Sequence, residues 1–275
     1  MQSENTLAAD FFAYRQRAYN VRATHVALFP SHAARAVDET QSHTSNTSMK
    51  TASPAATEQT VMEKAASLGR ILTPDQARGL ATYLGLLETW NKKINLVGPK
   101  RWPEMLSILV ADSWHLADFL DALGAEADIR NTLSLDLGAG AGIPGVPLRL
   151  FWPHGEYVLV EPRTKRAVFL ELAVSSLKLA QTRVFRGRTE QLFKTILAHD
   201  KRAGLCLSRA FMPWPDFLRL SCEFLAPGGV AVVMTNEAVT QECAPDTVRL
   251  LRTSQYEAVG NTRYVSAFMP VSVPR

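Results

Sequence analysis

Three glycines at alternate positions, Gly138, Gly140 and Gly142, follow the short apolar run Leu133-Ser134-Leu135-Asp136-Leu137 and lead into Ile143, Pro144 and Gly145. A residue without a Cβ takes φ > 0 at little cost and lets a ligand approach the main chain. A strand that runs into such a turn therefore suits the binding of a nucleotide-like cofactor. Two spellings overlap here: Gly140, Gly142 and Gly145 give G-x-G-x-x-G, while Asp136, Gly138, Gly140 and Gly142 give an acidic residue followed by alternating glycines. A tight strand-to-helix turn with no ligand is the third reading of the same residues.

The first spelling belongs to dinucleotide sites and the second opens the loop of S-adenosylmethionine (AdoMet) methyltransferases. A second strand, Glu156-Tyr157-Val158-Leu159-Val160, ends in Glu161. It lies about twenty residues past the loop, where such folds place the carboxylate that accepts from ribose hydroxyls. Both cofactors carry that ribose, so Glu161 does not choose between them. Charge favours AdoMet: a dinucleotide brings a pyrophosphate, AdoMet a sulfonium and one small carboxylate, and Asp136 near the strand end suits the cation.

Around this loop the sequence alternates strands and helices. After Leu133–Leu137 and Tyr157–Glu161 come Arg183-Val184-Phe185, Gly204–Leu207 and Val230–Thr235, the last entered through Pro227-Gly228-Gly229. Such alternation predicts an α/β fold with a doubly wound, mostly parallel sheet, and Gln255–Val259 with Arg263–Met269 adds an antiparallel hairpin turning at Gly260-Asn261. Ahead of the sheet, Thr73-Pro74-Asp75-Gln76 forms a capping box with proline at the first helical position. Ala77, Leu80, Ala81, Leu84, Leu87 and Trp90 follow at helical spacing. A second helix runs from Met105 to Leu120 and contains Asp112 and Ser113. The reading is a disordered tail over 1–60, an N-terminal helical cap over 61–128, and a cofactor-binding domain over 129–275. The polar run Thr40–Ser48 cannot bury enough apolar surface to order itself, and Met49 is an alternative start of translation.

With 275 residues, 47% hydrophobic and 20% charged, the chain has an ordinary globular composition. No apolar run reaches the ~18 residues that span a bilayer. Cys206, Cys222 and Cys243 are odd in number and lack metal-ligand spacing, as do the scattered histidines. A reduced cytoplasmic setting without a metal is expected. The net charge of +4 is mild, but Arg163, Lys165, Arg166, Lys178, Arg183, Arg186 and Arg188 are opposed within their span only by Glu171. That bias fits either a solvated surface or a basic rim for nucleic-acid phosphates.

Several separated blocks together resemble the RsmG/GidB methyltransferases, over about Thr73 to Thr235. Trp90-Asn91-Lys92-Lys93-Ile94-Asn95-Leu96 is similar to the family's W-N-K-x-x-N-L, and Asp112-Ser113 to its D-S. Asp136 through Pro147 is similar to D-x-G-x-G-x-G-x-P-G-x-P, Lys165-Arg166 with Phe169-Leu170 to K-R-x-x-F-L, Arg188-Thr189-Glu190 to R-x-E, and Ser208-Arg209-Ala210 to S-R-A. The chain departs from the family before Asp112, where histidine and an upstream arginine are usual, and at Met234-Thr235-Asn236-Glu237, where a lysine-glycine pair is usual.

The resemblance implies a class I AdoMet-dependent fold and methyl transfer to N7 of a guanine in small-subunit (16S) ribosomal RNA. It implies that Gly138 and Ile143 contact AdoMet, with Gly140 and Gly142 in the same loop, Glu161 at the ribose, Thr189 and Glu190 beside the adenine, and Arg209 at the mouth of the site. Guanine N7 already carries an in-plane lone pair, so no general base is needed, and Arg209 is expected to orient the substrate. Asn91, Lys92, Lys165 and Arg166 are the expected RNA or structural contacts. The expected enzyme is a cytoplasmic monomer acting on 16S RNA or the small ribosomal subunit. A methyltransferase with another substrate, a nicotinamide-dependent oxidoreductase, and a non-catalytic ribosomal RNA-binding or assembly protein of the same fold are the alternatives.

Overall fold

Apolar strands buried on both faces are the hallmark of a sheet covered by helices on each side, and β1 (Leu133–Leu137) is buried at every position. The structure, a computed structural model, describes residues 55–124, 126–197 and 201–271. Most of the expected tail, and Met49 with it, lies outside them. β1 joins β2 (Glu156–Val160), β3 (Thr182–Phe185), β4 (Ala203–Ser208), β5 (Leu225–Thr235), β6 (Val248–Ala258) and β7 (Asn261–Pro270) in one sheet, ordered β3-β2-β1-β4-β5-β7-β6. β1 to β5 are mutually parallel, while β7 runs antiparallel to β5 and to β6. The hairpin turns at Val259-Gly260, both with positive φ, one residue earlier than the sequence reading placed it.

Period-two alternation sorts β1 between two cores. Leu133, Leu135 and Leu137 pack with Phe217, Leu218 and Phe224 of the C-terminal helix Trp214–Phe224. Asp136 faces the other side, as does Tyr157, whose ring packs with the N-terminal helices. That second layer begins earlier than the sequence suggested, with α1 (Glu58–Ser67) opened by a Thr57/Thr60 capping box. It continues with α2 (Pro74–Ile94), which opens on the expected Thr73/Gln76 box and ends at Asn95 in the left-handed region. The single helix expected from Met105 to Leu120 is instead three pieces: α3 (Trp102–Met105), a π turn (Leu106–Val110) and α4 (Asp112–Leu123). Leu80, Leu84, Leu87, Trp114 and Leu120 from these helices share one hydrophobic core with Leu159, Leu205 and Val232 of the sheet. The helical layer thus covers one face of the sheet, and the described residues belong to one compact unit.

α5 (Gly145–Phe151) and α6 (Thr164–Ser176) complete that face. Strand order reverses between β1 and β4, which pair Asp136 with Leu207. Ligands of open α/β sheets bind beyond the carboxyl ends at such a point, and Gly138 and Arg209 both follow there. The amino ends of the strands are fastened by Arg149 of α5. Its buried guanidinium donates to the carbonyls of Trp152 (3.0 Å), His154 (2.6 Å), Gly155 (3.2 Å) and Ala180 (3.2 Å), and to Thr182 Oγ1 (3.1 Å). Arg149→Met keeps the apolar stem and strands those acceptors, so stability to denaturant should drop by about 3 kcal/mol. Equal unfolding midpoints for the two proteins would refute this role.

Candidate active site at the carboxyl ends of β1 and β4

The loop after β1 is held from three sides. Gly140 has φ +62°, and its N–H donates to Glu161 Oε2 at 2.9 Å, while Arg163 N–H donates to Glu161 Oε1 at 2.8 Å. Tyr83 of α2 donates its hydroxyl to the Ala141 carbonyl at 2.7 Å, and Ser113 of α4 donates to the Pro144 carbonyl at 3.1 Å. A Cβ on Gly140 would meet nothing nearer than 3.7 Å, where it finds Arg166 Nη1 and the Gly138 carbonyl. This is the open cradle that a bound cofactor needs. Glu161, although buried, keeps lone pairs beyond the two it uses, so loop and carboxylate fit AdoMet. The Phe211 ring walls the same loop at Gly138.

Asp136 works from beneath. Its carboxylate is 2% exposed, accepts from Tyr157 OH at 3.3 Å, and fills the space that a Cβ on Gly145 would need. Burial raises it from 3.8 to about 7, with the Glu161 charge adding in the same direction and the Tyr157 hydrogen bond opposing. Near neutrality Asp136 therefore carries only part of a charge. The electrostatic preference for AdoMet read from its sequence position is weaker than a full carboxylate would give.

Arg209, just past β4, is fixed by a second buried acid. Asp112 is 1% exposed. It pairs through Oδ2 with Arg209 Nη2 at 2.9 Å, meets Arg263 Nη1 at 2.6 Å on both oxygens, and accepts from Tyr256 OH at 2.9 Å. His115 stacks on the Tyr256 ring, centroids 4.1 Å apart. The π turn completes the arrangement. Its N–H bonds skip to the fifth residue back, as Ala111 to Leu106 does, and a π turn leaves carbonyls short of helical partners. Arg263 takes the Ile108 carbonyl (2.8 Å) and Arg209 the Leu109 carbonyl (3.3 Å).

The other residues singled out in the sequence fall into distinct places. Ile143 is half-buried against the core beside the loop. Thr189 is buried at the start of a 3-10 turn (Thr189–Lys194), while Glu190 is exposed next to it. Lys92, Lys165 and Arg166 reach solvent, the last half-buried. Asn91 does not. It is 5% exposed, donates to the Pro99 carbonyl (2.9 Å) and accepts from Val97 N–H (2.9 Å), so it closes the loop after α2 rather than facing a phosphate. The basic run is divided too: Arg183 pairs with Glu156 at 2.5 Å and Arg186 donates to Thr164 at 2.7 Å. Tyr256 and Arg263 escaped the sequence reading because nothing local links a C-terminal hairpin to Asp112. Only the D-S block marked the partner.

Two measurements test this geometry. Arg263→Met leaves Asp112 with one arginine and takes away the side-chain donor to the Ile108 carbonyl, and should cost about 2–3 kcal/mol of stability. Equal denaturant midpoints would contradict it. For Asp136 the unfolded carboxyl loses its proton near pH 3.8 and the folded one near 7. Stability should therefore fall as pH rises from about 4 to about 7, by up to about 4 kcal/mol, and then level off. Urea titrations across that range should show the slope in the wild type and its loss in Asp136→Asn.

Comparison with known proteins agrees with this architecture. The O-methyltransferase TomG from Streptomyces achromogenes superposes with a TM-score of 0.51 at 16% identity, over 78% of this chain and 96% of that one, which shows a shared fold. The ribosomal RNA small subunit methyltransferase G of Nitratidesulfovibrio vulgaris (strain DP4) is 40% identical over 202 residues, 74% of this chain and 89% of its own length. That of Lawsonia intracellularis is 42% identical over 170 residues, covering 62% and 76%. Residues 76–261 match the family described as GidB, rRNA small subunit methyltransferase G. The match takes in the loop, Glu161, Asp112 and Arg209, and this chain belongs to that family of methyltransferases.

Proposed function

We propose that this protein transfers a methyl group from AdoMet to N7 of a guanine in 16S ribosomal RNA. The observation that carries this reading is the meeting of the open cradle at Gly140 with Arg209 at the strand-order reversal, within a chain of the rRNA small subunit methyltransferase G family. Gly138, Gly140, Gly142 and Ile143 would hold the cofactor at the loop, Glu161 its ribose, and Thr189 with Glu190 its adenine. Bound there, AdoMet would supply an electrophilic methyl whose transfer to the N7 lone pair exchanges its C–S bond for an N–C bond, so no proton need be removed and the chain needs no general base.

The protein's own contribution is then orientation, which can supply on the order of 7–11 kcal/mol when reacting groups are held in line. Arg209 is suited to that task because Asp112 and the Leu109 carbonyl fix one edge of the guanidinium. Its remaining N–H groups can donate to guanine O6 or to a phosphate. Lys92, Lys165 and Arg166 would hold the RNA backbone. All of these residues come from one chain, so a monomer suffices. A substrate of 16S RNA or the small subunit would put the reaction in the cytoplasm. Among the described residues no helix is long and apolar enough to cross a membrane, and no cluster of His, Cys, Asp and Glu could hold a metal.

The test is transfer of labelled methyl from AdoMet to small-subunit particles and deproteinised RNA from a strain lacking this gene, with the modified base mapped. Label at the N7 of one guanine is the expected result; no label in either substrate despite AdoMet binding would reject the reading. Arg209→Ala should lower methyl transfer by about 10- to 100-fold, the loss of one or two charge-assisted hydrogen bonds, with the unfolding curve still cooperative. Unchanged turnover would remove Arg209 from the site.

A further inference from the structure

We infer that the groove between the last turn of α2 and the following loop is a backbone-phosphate site that grips the RNA strand away from the reacting base. This rests on the proposed RNA substrate and adds a site to it. The groove has a volume of about 750 Å³ and is lined by Lys92, Lys93, Lys100, Arg101, Glu88 and Asn95. Four cations face one carboxylate, and Glu88 is engaged: it meets Arg101 at 3.3 Å and accepts from Trp102 N–H at 3.0 Å. Lys92 and Lys93 are exposed and have no carboxylate within ion-pair distance among the described residues. Lys100 donates to Asn95 Oδ1 at 3.1 Å, which aims a third ammonium at the same space from the loop side.

Two lysines at a helix end would compensate the helix dipole without any ligand. That account does not explain the concave surface or Lys100, which belongs to no helix. The wall is also rigid, because the buried Asn91 amide ties α2 to Val97 and Pro99. The groove connects to the candidate active site through packed rings. Trp90, one residue before Asn91, lies 5.8 Å from Phe169 of α6. Phe169 is one turn beyond Arg166, whose Nη1 sits beside Gly140. A strand with its guanine at Arg209 would have cations along this one side of the protein, from the loop at Arg166 to the groove at Lys92. Phosphates are the anions that an RNA strand presents repeatedly along such a track.

The test compares wild type with Lys92→Gln/Lys93→Gln, which keeps helix propensity, and with Lys92→Arg/Lys93→Arg. Binding of deproteinised 16S RNA is measured between 50 and 200 mM salt, with AdoMet affinity and unfolding as controls. For two phosphates lost from a single strand, the slope of log K against log salt should flatten by about 1.4. Affinity at 0.1 M salt should fall about tenfold, AdoMet binding should be unchanged, and the arginine pair should bind RNA as wild type does. Unchanged affinity and slope in the glutamine pair would overturn the proposal. So would a defect confined to intact subunits, which would assign the groove to an acidic ribosomal protein instead. If the wild type binds RNA without methylating it, the proposed reaction fails while the groove is still judged by binding; if it methylates and the glutamine pair matches it, the groove alone fails.

Discussion

A buried carboxylate cannot stay ionised in apolar surroundings without partners, and Asp112 shows what that demand does to a fold. It draws Arg209 from the end of β4, and Arg263 and Tyr256 from the terminal hairpin, onto one point under the helical layer. The arginines in turn satisfy carbonyls of the π turn that a regular helix would have paired internally. Each irregularity supplies what another lacks: the π turn needs donors, the arginines need a counter-charge, and Asp112 needs both. The orientation of Arg209 therefore depends on residues about fifty positions away in the hairpin as much as on its own strand.

The glycine loop is governed by the same economy of buried polar groups. Glu161 accepts from backbone N–H groups on both sides of it, and Tyr83 and Ser113 reach across from the helical layer to loop carbonyls. The loop is thus set by hydrogen bonds from α2, α4 and β2 before any ligand arrives. Preorganisation of this kind spares the protein an ordering cost at binding. The π turn before Asp112 shifts Asp112 and Ser113 together about the helix axis, and each has a separate partner in the site.

Basic residues that look alike in the sequence are used in opposite ways. Arg149 is buried and saturated, a clamp on strand ends. Arg183 is tied to Glu156 at the sheet edge. Lys92, Lys93 and Lys165 are exposed, and the half-buried Arg166 reaches Gly140 of the loop. A mild net charge of +4 hides this division, because a buried or ion-paired arginine and an exposed lysine count alike in the total.

Features governed by neighbours along the chain were legible without coordinates. Alternation of apolar runs and turns specified the parallel sheet and its antiparallel end, the Thr73/Gln76 box specified where α2 starts, and the glycines with Glu161 located the tight loop after β1, since each depends on a few consecutive residues. The inward turn of Asn91, the masking of Asp136, the π turn and the Asp112 cluster were not legible. Whether a polar side chain points to solvent or into a core depends on what packs over it. The groups that decide this here lie up to 155 positions apart, as Arg263 and the Ile108 carbonyl do. Local pattern therefore set the elements and their order, while burial and partnership between distant residues set which side chains are left to act on a substrate.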